Sequence, residues 1–177
     1  SGNLDEFIQY TTMKFSPLSE QKNISLKFED KTGGLFMYFD RDKLGKILTN
    51  LLSNAFKFTK SGGVVKVELS KCFIDSRRYA RIIVEDTGCG ISKEEQAHVF
   101  ERFYRAEQQQ AATQVGSGIG LNMVYEYVKL HQGKVSLESE EGKGSRFIVD
   151  IPTDLKHALQ QEAAQDNQFV SSHATDA

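Results

Sequence analysis

The sequence predicts a two-layer α/β sandwich, with a mixed, mostly antiparallel sheet on one side and helices on the other. Three observations predict it. Asp42–Thr59 carries apolar residues at helical spacing over a long stretch. Short runs with apolar residues at every second position recur along the chain, joined by turn residues into hairpins. Helices and strands do not alternate regularly, so an all-parallel wound sheet is not indicated.

Leu4, Phe7, Ile8, Thr11 and Phe15 follow helical spacing and predict a helix from residue 4 to about 20, which Pro17 kinks or divides in two. Ile24, Leu26 and Phe28 alternate with polar residues and predict a half-buried strand, and Asp30 to Gly34 a turn. Leu35 to Phe39 reads as a second, more buried strand. The Asp42–Thr59 helix follows and is stopped by Ser61-Gly62-Gly63. Val64 to Phe73 and Tyr79 to Glu85 are expected as strands around a polar turn. Ser92-Lys-Glu-Glu95 has the pattern of a capping box opening a short helix. Leu121, Val124, Tyr125 and Val128 predict another helix, ended by Gly133. Val135 to Ile151, around Gly142 and Gly144, predicts a final hairpin. Pro152 ends the core, and residues 153–177 read as a polar linker.

The chain has 177 residues and a formal net charge of −2, enough for one domain with a sizeable core and too little basic charge to imply a nucleic-acid partner. Two Cys at unpaired spacing fit a reducing compartment and form neither a disulfide framework nor a zinc pattern. No apolar run reaches membrane-spanning length.

Four stretches carry chemistry. On a helical projection centred on Asn50, residues Lys43, Lys46, Asn54 and Lys57 fall within about 40°, opposite an arc of Leu, Ile, Ala and Phe. Asn is a poor helix former, and amide oxygens ending in an ammonium suit a magnesium phosphate group. A solvated face that holds two Asn is the other reading of this helix. Asp86 ends an apolar strand and is followed by Gly88 and Gly90. A carboxylate there can accept from an adenine amino group, with glycines that let a flat base approach; an ordinary turn after a strand remains open. Phe100-Glu-Arg-Phe-Tyr-Arg105 precedes AEQQQAATQV, which has no apolar face. Its aromatics fit a core as well as a site, and Arg105 fits a surface as well as a terminal phosphate. Gly116-Ser-Gly-Ile-Gly120 leads into a helix, where backbone N–H groups and the dipole favour an anion; a flexible connector is the alternative.

Taken in order, Asn50-Leu-Leu-Ser-Asn54-Ala-Phe-Lys57, Asp86-Thr-Gly-Cys-Gly90, Phe100–Arg105 and Gly116-Ser-Gly-Ile-Gly-Leu121 resemble the N, G1, F and G2 boxes of the catalytic, ATP-binding domain of two-component sensor histidine kinases. That domain shares its Bergerat-type fold with gyrase, heat-shock chaperone and mismatch-repair ATPases. The resemblance covers about Ile24 to Ile151. It implies ATP and Mg²⁺ as ligands, with Asn54 on the metal. It implies that Asn50 and Lys57 lie along the phosphates and that Arg105 touches the terminal one. It also implies that Asp86 reads adenine with Gly88 and Gly90 beside it, and that Phe58 and Ile91 are walls of the base pocket. Gly116, Ser117, Gly118, Ile119, Gly120 and Leu121 would close on the nucleotide, with residues 106–117 as a lid.

One departure is informative. His98, His131, His157 and His173 all lie outside the family's phosphoacceptor pattern. The chain therefore resembles the catalytic half of a longer kinase. Residues 1–22 are expected as the connection from a dimerisation domain, 23–152 as the ATP-binding domain and 153–177 as a linker. The expected partners are that dimerisation and phosphoacceptor domain and, downstream, a response-regulator receiver domain, with no nucleic acid and no direct membrane contact. The expected setting is cytoplasmic, with membrane attachment of the parent an analogy only, and the isolated domain monomeric. Two other functions stay open. One is a nucleotide-sensing module without transfer. The other, disfavoured by Asn50 where hydrolytic relatives carry Glu, is an ATPase.

Overall fold

The computed structural model describes residues 1–104 and 119–154. Its sheet has the strand order β2 (Ser25–Asp30), β4 (Val64–Ile74), β5 (Arg77–Asp86), β7 (Gly144–Pro152), β6 (Lys134–Glu140). The β2–β4 pair is parallel and the other three pairs are antiparallel. Helices α1 (Leu4–Met13), α2 (Ser16–Lys22), α3 (Arg41–Phe58) and α5 (Gly120–Leu130) accompany it, with the short α4 at Lys93–Gln96. The predicted sandwich and mixed sheet are present.

Pro17 divides the N-terminal helix as expected, standing in the first turn of α2, where its missing N–H costs nothing. Asp40 caps α3 by accepting from the Lys43 N–H at 3.0 Å. Leu44, Ile47, Leu48, Leu51, Leu52 and Ala55 of α3 are buried, forming one core with Val65, Val67, Ile82, Val84, Val149 and Ile151 of the sheet. Leu4 and Ile8 of α1 belong to the same core. The opposite sheet face carries charge: Arg81 and Asp150, opposite one another on β5 and β7, form a two-pronged pair at 2.7 and 2.9 Å.

The structure corrects two expectations. The strand expected over residues 35–39 is only β3, Phe36–Met37, paired with β1 (Gly2–Asn3) rather than with the main sheet, and Phe36 is 68% exposed. The chain must turn there into the Asp40 cap, which leaves no length for a longer ladder. Gly133 is not the residue that reverses α5. Gln132 takes the left-handed backbone at φ 53°, and Gly133 is required because a Cβ there would lie 2.4 Å from the Asp150 carbonyl. Residues 97–104, which lead into and through most of the F box, form successive turns, and Phe103 is 64% exposed.

Candidate nucleotide site

The last turns of α3, the loop after β5, the start of α5 and the first half of β7 line one pocket. Asn54, Phe58, Asp86, Gly90, Ile91 and Leu121 all line it. Three of the four sequence stretches therefore meet at one place. The Asn54 side chain carries no hydrogen bond among the described residues, so its amide is available to the cavity.

Asp86 is the chemical centre. It ends β5 and is only 7% exposed. The Gly88 N–H donates to its Oδ1 at 2.8 Å, and the Ser145 N–H also bonds the carboxyl. Burial outweighs both and pushes its pKa up to about 6. Near neutral pH it is mostly an ionised acceptor in an apolar wall, suited to an N–H donor on a planar ligand.

The glycines have reasons the sequence did not reveal. A Cβ on Gly88 would lie 2.7 Å from both Asp86 Oδ1 and the Phe58 carbonyl, and one on Gly90 would lie 2.0 Å from the Glu140 carbonyl. Gly90 also has φ +70°. The space these glycines leave is thus taken by the protein itself.

Asn50 is placed next to the site rather than in its lining. Its amide nitrogen donates to the Lys46 carbonyl at 2.8 Å and approaches Met123 Sδ at 3.9 Å. Its oxygen faces Gly120. Lys57 Nζ stands 5.0 Å from the centre of the Phe58 ring. Ile119 precedes α5 and supplies no side-chain cap. Phe100 packs edge-on to Phe147 at 6.3 Å, and Asn122 donates to the Phe100 carbonyl at 3.0 Å, which ties the F box to α5. Arg105, Gly116, Ser117, Gly118 and the lid expected over 106–117 lie outside the described residues.

Cys89, Glu95, Ser145 and Phe147 also line the cavity, and sequence reading did not assign them. Ser145 was recoverable only through the register that sets it opposite Asp86. Phe147 showed its alternation but not the site it walls. Cys89 is partly buried, which raises its thiol pKa.

Comparisons with known proteins identify the family. Residues 39–155 match the family described as histidine kinase-, DNA gyrase B-, and HSP90-like ATPase. The chain is 33% identical over 168 residues to histidine kinase P4 of Formosa agariphila, covering 93% of this chain and 12% of that protein. It is 35% identical over 151 residues to the sensor histidine kinase TmoS of Ectopseudomonas mendocina, covering 85% of this chain and 15% of that protein. The chain thus spans only a small part of these relatives. Among solved structures, the catalytic domain of the histidine kinase ThkA aligns with a TM-score of 0.73 at 27% identity, covering 86% of this chain and 95% of that one. Full-length ShkA in complex with AMPPNP aligns with a TM-score of 0.72 at 28% identity, over 84% of this chain and 30% of that one. The chain belongs to the histidine kinase-, DNA gyrase B- and HSP90-like ATPase family, as an ATP-binding catalytic domain of the sensor histidine kinase kind.

Proposed function

We propose that this domain binds Mg-ATP and presents the γ-phosphate to a histidine on a separate helical phosphoacceptor domain, from which a response-regulator receiver is served. The observation that carries the reading is the buried Asp86 carboxyl in a cavity that also holds the Asn54 side-chain amide, which makes no hydrogen bond among the described residues. Asp86 accepts from the adenine amino group, and Phe58, Ile91 and Leu121 cover the faces of the ring.

The residues fit a magnesium ion that arrives with the nucleotide. No group of three or more His, Cys, Asp or Glu that would hold a metal is present among the described residues. A single amide oxygen from Asn54 is what Mg²⁺ asks of a protein when phosphates and water complete its shell. When bound, the ion neutralises phosphate charge. Asn50 and Lys57 orient the phosphates, and Arg105 meets the terminal one. Phosphoryl transfer needs positioning and charge neutralisation more than covalent chemistry from the protein, and the nucleophile comes from the partner domain. Hydrolysis is disfavoured because the Asn50 amide cannot take a proton from water and its nitrogen is already engaged. No helix among the described residues is long and apolar enough to cross a membrane, and a cytoplasmic setting, where ATP is present, is part of this proposal.

The test is incubation with γ-labelled ATP, alone and with a helical phosphoacceptor domain from a related kinase. Acid-labile label should appear on the added domain only. Label on the isolated chain, or none on either protein while ATP binds, contradicts the reading.

A further inference from the structure

The base-reading end of the cavity is held from behind by a segment that does not touch it. At the α2–β2 junction, Lys22 Nζ donates to the Phe56 carbonyl at 3.0 Å, in the last turn of α3. That carbonyl is among those a helix leaves without intrahelical partners. Asn23 follows in the left-handed conformation, φ 53° and ψ 48°. There its Nδ2 donates to Ser61 Oγ at 3.1 Å and its carbonyl accepts from the Gly62 N–H at 2.7 Å. The Ser25 N–H then donates to the Gly63 carbonyl at 2.9 Å. Phe15 stacks on Phe56 with ring centres 5.7 Å apart. Four hydrogen bonds and one ring stack thus fix the end of α3 and the α3–β4 loop to α2 and the α2–β2 junction.

What they fix leads directly to Asp86. Phe58, two residues past Phe56, walls the cavity, and its carbonyl presses on Gly88, whose N–H holds the Asp86 carboxyl. Gly63 packs against Thr87, where a Cβ would lie 2.9 Å from Thr87 Oγ1. Val64 and Thr87 exchange two bonds: the Val64 N–H donates to Thr87 Oγ1 at 2.9 Å and the Thr87 N–H donates to the Val64 carbonyl at 3.1 Å. Thr87 joins Asp86 to Gly88. Shifting the α3–β4 loop therefore moves both the wall residue and the peptide that aims the carboxyl.

We infer that Lys22 and Asn23 are positioning residues for base recognition, clamping the α3–β4 loop so that the placement of α1 and α2 sets nucleotide affinity. This rests on the assignment of the cavity to an adenine nucleotide. Because the contacts traced here run through Phe58 and Thr87 to Asp86, adenosine, which has no phosphates, should feel the loss of the clamp as ADP and ATP do.

The test measures affinity for adenosine, ADP and ATP by calorimetry, well below the melting temperature, with amide NMR of Thr87 and Gly88. Three disrupting variants are used, with Lys22→Arg as the conservative control. Lys22→Met keeps the aliphatic stem, Asn23→Gly keeps the left-handed backbone, and Ser61→Ala removes the Asn23 partner from an exposed turn that tolerates change. Losing one or two such bonds should weaken all three ligands by a common factor, roughly 3- to 10-fold for Lys22→Met combined with Asn23→Gly. Ser61→Ala should move in the same direction, and Lys22→Arg should restore affinity. The Gly88 amide signal should shift in the nucleotide-free variants. Wild-type affinities in the folded variants, whatever their melting temperatures, overturn the inference, as does a loss confined to ATP. Failure of the wild-type chain to bind any of the three would instead overturn the assignment of the cavity.

Discussion

Asn50 and Gly120 meet across α3 and α5: a Cβ on Gly120 would lie 2.7 Å from Asn50 Oδ1. The contact joins the amide strip of α3 to the first residue of α5, so the glycine sets where the Asn50 oxygen points. An added methyl would displace a side-chain end rather than backbone, which the fold tolerates. Gly120→Ala should change stability by less than about 1 kcal/mol while lowering ATP affinity about as far as Asn50→Ala does. A double-mutant cycle checks this. The double variant should bind no worse than Asn50→Ala alone, and additive losses would mean that the two residues act separately.

Asp86 makes the fold less stable for the sake of its acceptor. Its folded pKa of about 6 lies above the unfolded value of 3.8, so the folded state holds the extra proton between those values. Stability is therefore lost as pH rises through that window and stays lost above it, by about 3 kcal/mol at most. Asp86→Asn keeps an oxygen for the Gly88 and Ser145 N–H groups and removes the charge. It should be more stable than wild type at pH 8 by about 1–3 kcal/mol, and the gain should vanish near pH 4. Denaturant midpoints at the two pH values make the comparison, and an equal effect at both would show that burial does not strain this carboxylate.

The β6–β7 turn contains two glycines with different reasons. Gly142 has φ +82° and open space around it, whereas Gly144 has φ +116° and would place a Cβ 1.9 Å from the Asp86 carbonyl. Gly142→Ala should cost about 1–2 kcal/mol through backbone conformation alone. Gly144→Ala should cost more than about 3 kcal/mol and weaken nucleotide binding, because the backbone of Asp86 must move. Equal melting temperatures for the two variants would contradict this reading.

How much of this could be read from the sequence follows from what each residue depends on. Asn54 and Phe58 of α3, Asp86 and Leu121 belong to local patterns, and the structure gathers these four at one pocket. Ser145 and Phe147 enter the cavity through strand register, and the close approach at Gly144 is a tertiary contact; neither has a local signature. β3 was read too long because its partner, Gly2–Asn3, lies before two intervening helices in the sequence and offers only two residues. The Lys22 and Asn23 contacts are likewise invisible without the fold.

Arg81 and Asp150 provide a control on the other side of the sheet. Asp150 is 5% exposed and holds both guanidinium contacts, with Cys72 Sγ 3.7 Å away. Asp150→Ala leaves a partly buried guanidinium without its partner and should cost about 2–4 kcal/mol. ATP affinity at a temperature where the variant is folded should not change. A matching loss of affinity would mean that the two faces of the sheet are coupled.

The central claim is that Asp86 reads an adenine base, and calorimetry of ATP and GTP on the wild-type chain and on Asp86→Ala tests it most directly. A guanine base presents a carbonyl where adenine has its amino donor, so the wild-type chain should prefer ATP. Asp86→Ala leaves that donor unpaired, and ATP affinity should fall roughly 5- to 150-fold with the preference over GTP lost. Equal binding of ATP and GTP by the wild-type chain, or unchanged ATP affinity in Asp86→Ala, would contradict the account.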